Sequence, residues 1–115
     1  MGQATGRILV VENDQMLNDM FRQMLEEMGY IVLTAASADA ARLAIDSTDL
    51  DVILADFALG NGPDGLCVAR EAQRKNEHLR VVIASGHPAP GDLDRDMAFL
   101  QKPFTLAQLA RTVQG

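Results

Sequence analysis

The chain has 115 residues, a formal net charge of −6 and 48% hydrophobic residues. This length predicts one domain with a single core, and the acidic balance argues against direct nucleic-acid binding. Cys67 is the only cysteine, which excludes a disulfide framework or a cysteine metal site and indicates a reducing, cytoplasmic setting. No apolar stretch reaches the length of a membrane span. Residues 1–6 are predicted to be a flexible lead-in and residues 7–115 the domain.

Apolar runs alternate with helical patterns along the chain, beginning with a strand over residues 8–11. The next element is a helix over residues 14–28, with Gly29 as its C-terminal cap, and a second strand follows over residues 30–34. One helix face carries apolar residues at three- and four-residue spacing, and its methionines are predicted to pack in the core. That face consists of Leu17, Met20, Phe21, Met24, Leu25 and Met28.

The same alternation continues to the end of the chain. The later strands are predicted over residues 51–56, 81–84 and 99–101. The later helices are predicted over residues 38–46, 65–75 and 106–113, with Ser37 and Thr105 as N-terminal caps of the first and last. Cys67 falls in the middle helix and is expected to be at least half-buried. Strands that alternate with helices require parallel pairing and right-handed crossovers, so the fold class is α/β with a doubly wound sheet.

One segment, between the fourth and fifth strands, departs from this rhythm. Pro88, Pro90 and Gly91 occupy its first half. Only about two turns of ~3.6 residues each remain before the fifth strand. The sequence therefore predicts a shortened or partly irregular fourth helix.

Polar side chains stand at the carboxyl ends of the predicted strands. They are Glu12, Asn13 and Asp14 after the first strand, Asp56 on the third, Ser85 on the fourth and Lys102 after the fifth. In a parallel sheet these ends lie on one edge, where open α/β sheets bind their ligands. An ionised carboxylate that is buried there needs a cation or a metal beside it. The sequence therefore predicts a functional site at this edge, centred on Asp56.

The residue types at this edge suit phosphoryl transfer. Carboxylates without histidine or cysteine favour a hard cation such as Mg²⁺, which accepts one or two carboxylates and completes its shell with water and phosphate oxygens. Lys102 supplies a positive point charge for a phosphoryl group, and Ser85 offers a hydroxyl donor. Asp56 is then a carboxylate nucleophile that forms an acyl phosphate, in a reaction that depends on positioning and electrostatics.

In their order and spacing, these motifs resemble the receiver domain of two-component response regulators. The segments that carry the resemblance are ILVVEND (8–14), VILAD (52–56), VVIASG (81–86) and FLQKPF (99–104). The resemblance covers residues 7–114 and implies a flavodoxin-like fold. That fold has a five-stranded parallel sheet in the order 2-1-3-4-5 with helices on both faces. The last two segments are also similar to receivers at the C-terminal end of hybrid histidine kinases.

The resemblance implies that Asp56 accepts a phosphoryl group from the phosphohistidine of a histidine kinase or of a histidine-phosphotransfer protein. It implies a metal ion, Mg²⁺ or alternatively Mn²⁺, held by Glu12, Asp56 and the backbone carbonyl of Ala58. Such a domain catalyses its own phosphorylation and dephosphorylation and is not a turnover enzyme. If the chain belongs to a hybrid protein, the parent is a histidine kinase.

The same resemblance assigns the remaining site residues. Ser85 matches the switch hydroxyl of the family and Phe99 its switch aromatic residue. Lys102 matches the family's lysine, whose peptide bond to the following proline is typically cis. The shortened fourth helix reduces a face through which many members dimerise, so the chain is expected to be a monomer or a weak dimer.

Two departures from the family pattern lie beside Asp56. Asn13 stands where the family usually has an acidic metal ligand, so metal binding is expected to be weaker, with Asp14 acting as a helix cap. The loop over residues 59–65 has Gly60 in place of the usual proline and is about one residue longer. The neutral Asn13 leaves an alternative open, a pseudo-receiver that binds a protein partner without being phosphorylated.

Overall fold

Five strands and four helices alternate along the chain in a computed structural model that describes residues 6–59, 64–89, 91 and 93–114. The strands are β1 (Arg7–Val11), β2 (Ile31–Ala35), β3 (Val52–Asp56), β4 (Arg80–Ser85) and β5 (Ala98–Gln101). The helices are α1 (Gln15–Glu27), α2 (Ala38–Ser47), α3 (Gly65–Lys75) and α4 (Leu106–Gln114). Within these ranges no helix has both the length and the apolar character needed to cross a bilayer.

The five strands form one parallel sheet in the order β2-β1-β3-β4-β5, as predicted. The register brings the last residue of β3, Asp56, opposite Ala84 near the end of β4. The carboxyl ends of all five strands therefore share one edge. The polar residues that follow the strands are collected at this edge, although they lie far apart in sequence.

Two layers of hydrophobic residues pack on opposite faces of the sheet. Successive residues of a strand point to opposite sides, so Leu9 and Val11 join the cluster under α2 and α3. Ile8 and Val10 join the cluster under α1 and α4. Helices thus cover both faces of the sheet, which confirms the doubly wound architecture.

Local capping explains where the helices begin and end. Asp14 accepts hydrogen bonds from two amides of the first turn of α1, and Ser37 accepts one from the amide of Ala40. Thr105 and Gln108 bond reciprocally before and within α4, which is a capping box. Gly29, at φ 105°, ends α1 in the left-handed region. The predicted caps are all confirmed.

Two predictions of burial were wrong. Met20 is 45% exposed, because the fully buried side of α1 is a narrower stripe that contains Phe21 and Leu25. The apolar face of this helix is wider than the arc that the sheet covers. Cys67 is exposed on α3, since the sheet-facing side of that helix is formed by residues such as Leu66 and Ala69.

The segment between β4 and β5 contains no helix in the residues that the structure describes, of which Pro90 and Asp92 are not part. The sequence predicted at most a short or partly irregular one, and prolines at its start disfavour helical backbone. Met97 is buried against the α2–α3 face. Two hydrogen bonds from the Arg70 guanidinium to Asp94, of 3.2 and 2.9 Å, tie the segment to α3.

Candidate functional site

Three charged side chains from three different strand ends meet at the carboxyl edge of the sheet. Glu12 follows β1, Asp56 ends β3 and Lys102 follows β5. The Lys102 ammonium nitrogen lies 2.9 Å from Glu12 Oε1 and 3.2 Å from Asp56 Oδ2. One cation therefore bridges two carboxylates, as the convergence of parallel strand ends predicted.

Glu12 is the most deeply buried charged residue of this group, at 1% exposure. A carboxylate removed from water must be compensated by hydrogen bonds or by a cation. Glu12 has both, because Oε2 accepts a bond of 3.0 Å from the amide of Asp14 while Oε1 accepts one from Lys102. Its side chain is fixed by the residue before α1 on one side and by Lys102, after β5, on the other.

Lys102 is held in its charged form by its two partners. Burial of the ammonium group is the largest single influence and lowers the pKa of Lys102. The hydrogen bond and the charge of Glu12, followed by the charge and hydrogen bond of Asp56, together outweigh burial and raise the pKa above its ordinary value. The site therefore keeps a permanent positive charge beside Asp56 at neutral pH.

Asp56 remains accessible, with 13% of its side chain exposed. Its Oδ1 accepts a long hydrogen bond of 3.4 Å from the amide of Ala58. The backbone behind it is tightly packed, because a Cβ on Gly65 would lie 2.0 Å from the Asp56 carbonyl oxygen. Glycine at the first position of α3 thus allows this helix to begin directly against the strand that carries Asp56.

Ser85 and Phe99 lie on the neighbouring strands. Ser85 is buried at the end of β4, where its carbonyl accepts a bond of 2.8 Å from the Lys102 amide. Its hydroxyl oxygen accepts a bond of 3.0 Å from the amide of His87, whose side chain is exposed. Phe99, on β5, is partly buried against the α2–α3 face. The peptide bond between Lys102 and Pro103 is cis.

The donor set at this edge fits Mg²⁺. Among the described residues no three His, Cys, Asp or Glu side chains form a metal cluster, and two carboxylates, Glu12 and Asp56, converge. Mg²⁺ commonly binds through one or two carboxylates and keeps several waters. Asn13, the residue after Glu12, and Ala58, two residues after Asp56, are both exposed. The Asp14 carboxylate instead caps α1, where its Oδ1 accepts hydrogen bonds from the amides of Met16 and Leu17.

Asn18 is a residue of this region that the sequence reasoning missed. It is 2% exposed, and its amide nitrogen donates to the carbonyls of Glu12 at 2.9 Å and Ala35 at 3.2 Å. The signal in the sequence was its position three residues before Phe21 and seven before Leu25, on the buried stripe of α1. A polar residue on such a stripe marks a side chain with specific partners.

An apolar groove of about 420 Å³ runs beside the site, between α1 and the segment after β5. We call it the α1 groove. It is lined by Leu17, Met20, Phe21, Met24, Lys102, Pro103 and Phe104. The rings of Phe21 and Phe104 stack with centroids 5.4 Å apart, and the Lys102 nitrogen lies 5.9 Å from the Phe21 centroid. Lys102 therefore belongs to both the groove and the charged site.

Comparison with known proteins places this geometry in context. The regulator AlgB of alginate biosynthesis from Pseudomonas aeruginosa is 36% identical over 84 residues, which cover 73% of this chain and 18% of AlgB. The sensor kinase CckA of Brucella abortus is 28% identical over 98% of this chain and 12% of its own length. The chain therefore spans only a small part of these curated relatives.

Solved structures show the same architecture. A response regulator receiver protein from Sinorhizobium medicae matches with a TM-score of 0.88 and 29% identity, over 94% of this chain and 90% of that one. TrrA from Thermotoga maritima, solved in complex with Mg²⁺-BeF, matches with a TM-score of 0.83 and 26% identity, over 94% and 96% of the two chains. The family model of the response regulator receiver domain matches residues 8–114. The chain therefore belongs to the response regulator receiver domains of two-component signalling.

Proposed function

We propose that this receiver domain accepts a phosphoryl group on Asp56 in a two-component phosphorelay. The observation that carries the proposal is the Lys102 ammonium group, 3.2 Å from the Asp56 carboxylate and bound also to Glu12. A fixed positive charge beside an accessible carboxylate stabilises the negative charge of a transferring phosphoryl group. The comparisons give no support to the alternative of a pseudo-receiver.

In the proposed reaction a carboxylate oxygen of Asp56 forms a bond to phosphorus while the phosphorus–nitrogen bond of a phosphohistidine breaks. The donor imidazole leaves with the bonding electron pair and Asp56 becomes an acyl phosphate. Lys102 pairs with a phosphoryl oxygen, and the Ser85 hydroxyl donates to another. Because the Lys102 amide holds the Ser85 carbonyl, the two residues are coupled, and Phe99, which lies on β5 opposite Ile83, acts as the switch aromatic residue.

Glu12, Asp56 and the Ala58 carbonyl would hold Mg²⁺, with Asn13 as a neutral fourth candidate. When bound, Mg²⁺ neutralises charge on the phosphoryl oxygens. The complex of TrrA with Mg²⁺-BeF supports this choice of metal. Since Asn13 contributes no charge, we propose that Mg²⁺ binding is weak and that phosphorylation of Asp56 is retained.

The proposed partner is a histidine kinase or a histidine-phosphotransfer protein, bound over the α1 groove in the cytoplasm. The groove is apolar and reaches the site itself, because Lys102 lines one end of it. Met16, about one helical turn before the groove residue Met20, extends the apolar surface along α1 at 79% exposure. An amphipathic helix that carries the phosphohistidine fits a groove of this kind.

Labelling with acetyl phosphate tests the proposal without a protein partner. We expect one phosphoryl group per chain in the presence of Mg²⁺, and none after removal of the metal with a chelator. The variant Asp56→Asn should not be labelled. The control variant Asp51→Asn, which changes the residue just before β3, should be labelled like the wild type. Equal labelling of Asp56→Asn and the wild type would exclude Asp56 as the acceptor.

A further inference from the structure

Asn18 makes an unusual set of contacts for a residue on the core side of a helix. Its side-chain nitrogen donates to the Glu12 carbonyl at 2.9 Å and the Ala35 carbonyl at 3.2 Å. The Ala35 carbonyl also accepts a bond of 3.0 Å from the Glu12 amide. One carboxamide thus joins α1 to the Glu12 carbonyl and to the end of β2, where the Ala35 carbonyl in turn holds the Glu12 amide. We call this set of three hydrogen bonds the Asn18 bracket.

Packing in the hydrophobic core does not explain why a polar residue stands at position 18, on the buried side of α1. Asn18 Oδ1 is buried and has no hydrogen-bond partner among the described residues. An unpaired buried oxygen costs stability, which an apolar residue on the same stripe would avoid. Departures of this kind from core patterning are typical of functional sites. The two hydrogens of the carboxamide, rather than its oxygen, are therefore what the fold uses.

The bracket has one property that the other contacts of Glu12 lack. Lys102 and the Asp14 amide both bind the carboxylate oxygens of Glu12, which are the atoms that a metal would need. Asn18 binds Glu12 only at its backbone carbonyl and does not occupy these carboxylate oxygens. It can therefore hold the residue in place without competing with a cation for its ligand atoms.

We propose that Asn18 is a positioning residue for the metal site and acts through Glu12. The inference rests on the proposed function, because it assigns Glu12 to the metal. By fixing the Glu12 amide and carbonyl, the bracket keeps the carboxylate directed at Asp56 when its bond to Lys102 is exchanged for a bond to a cation. Groups that orient metal ligands in this way usually change metal affinity about 10- to 100-fold when they are removed.

The experiment compares Asn18→Ala with the wild type in a Mg²⁺ titration followed by amide NMR shifts at Glu12 and Asp56. We expect the midpoint to move to about tenfold higher Mg²⁺. In the metal-free protein, hydrogen exchange of the Glu12 amide should become faster. Asn18→Ser keeps one hydroxyl donor, disturbs the core less and should give an intermediate midpoint.

Asn76→Ala is the matched control. Asn76 also donates from its amide to a backbone carbonyl, that of Leu50 at 3.0 Å, but at the opposite edge of the sheet. We expect it to lower stability and to leave the Mg²⁺ midpoint unchanged. An unchanged midpoint in both Asn18 variants, or an equal shift in Asn76→Ala, would overturn the role of the bracket. A wild type that does not respond to Mg²⁺ would instead overturn the proposed function.

Discussion

The ammonium group of Lys102 lies 2.9 Å from the carboxylate of Glu12, although 90 residues separate them along the chain. Glu12 is 1% exposed, so this contact joins the first and last strands around a charge that is removed from water. Asp56, 3.2 Å from the same nitrogen, occupies the third corner. The structural role of Lys102 and its proposed chemical role therefore reside in the same atom.

Replacing Lys102 by methionine should destabilise the domain and abolish labelling of Asp56. The methionine keeps the length of the side chain but leaves Glu12 buried without a counter-charge, which costs about 3 kcal/mol. Urea unfolding measures this loss. Lys75→Met removes an exposed ion pair with Asp46 and should cost only about 0.5 kcal/mol. A loss that is no larger for Lys102 than for Lys75 would contradict this account of the site.

The stability of the domain should depend on pH in the alkaline range. The folded-state pKa of Lys102 lies above its ordinary value of 10.5, so its contribution is complete below that pH and is lost as the pH rises through the folded value. The pKa of Tyr30 is also raised, mainly by burial and further by the charge of Asp51, against the opposing charge of Arg80. The stability that Tyr30 contributes is therefore also lost as the pH rises above its ordinary pKa of 10.0.

Urea midpoints between pH 8 and pH 11 measure this dependence. The variant Tyr30→Phe removes the contribution of Tyr30, so that the contribution of Lys102 can be measured alone. In that background we expect the decline above about pH 10.5 to be shallower after Lys102→Met. An identical decline with and without Lys102 would show that this ammonium group is not the one that stabilises the fold.

Substitution of Asn13 by aspartate should strengthen Mg²⁺ binding. An added carboxylate about 4 Å from the metal, in water, contributes about 1 kcal/mol for each unit of metal charge, or about 2 kcal/mol for Mg²⁺, and we expect a gain of about 30-fold in affinity. Isothermal titration measures the change. Gln15→Glu adds the same charge two residues further on, at the exposed start of α1, and should give a smaller gain. Equal gains in both variants would indicate that the added negative charge attracts the metal at a distance and that residue 13 is not a metal ligand.

Gly65→Ala should destabilise the domain by about 3 kcal/mol, because its Cβ would lie 2.0 Å from the backbone oxygen of Asp56. Neither α3 nor β3 can move away without losing its packing. Gly86→Ala is the control, since a Cβ there meets no atom within 4 Å. Thermal unfolding compares the two variants, and similar midpoints for both would show that α3 does not begin as closely against Asp56 as described.

Met20→Lys should slow phosphoryl transfer from a phosphohistidine protein that phosphorylates the wild type. Loss of an apolar contact in the α1 groove should weaken binding of the partner by about 1.4 kcal/mol. This corresponds to about a tenfold slower transfer when the concentration of the partner limits the rate. Labelling by acetyl phosphate should not change. Leu43→Lys, at an apolar position of α2 that is 73% exposed on the other face, should leave both reactions unaffected. Slower transfer in Leu43→Lys alone would place the partner on α2.

The strand ends explain why the sequence predicted much of the site. Alternation of elements fixes a parallel sheet, and a parallel sheet brings Glu12, Asp56 and Lys102 to one edge whatever the details of packing. Asn18 was missed because its hydrogen bonds go to the backbone carbonyls of Glu12, just after β1, and of Ala35 in β2, which no side-chain motif encodes. The exposure of Met20 was missed for a related reason, since periodicity gives the direction of an apolar face and not the width that the sheet covers.

The segment between β4 and β5 is held to α3 by a guanidinium–carboxylate pair, in which both side chains are 37% exposed. The hydrogen bond from Arg70, together with its charge, lowers the pKa of Asp94 against the opposing effect of burial. Dissolved ions screen an exposed pair of this kind, but they hardly affect the hydrogen-bonded backbone of a helix. The described stretch over residues 93–97 is therefore anchored in part by a contact that ionic strength can adjust, and the mobility of this stretch should increase with salt while the sheet stays intact.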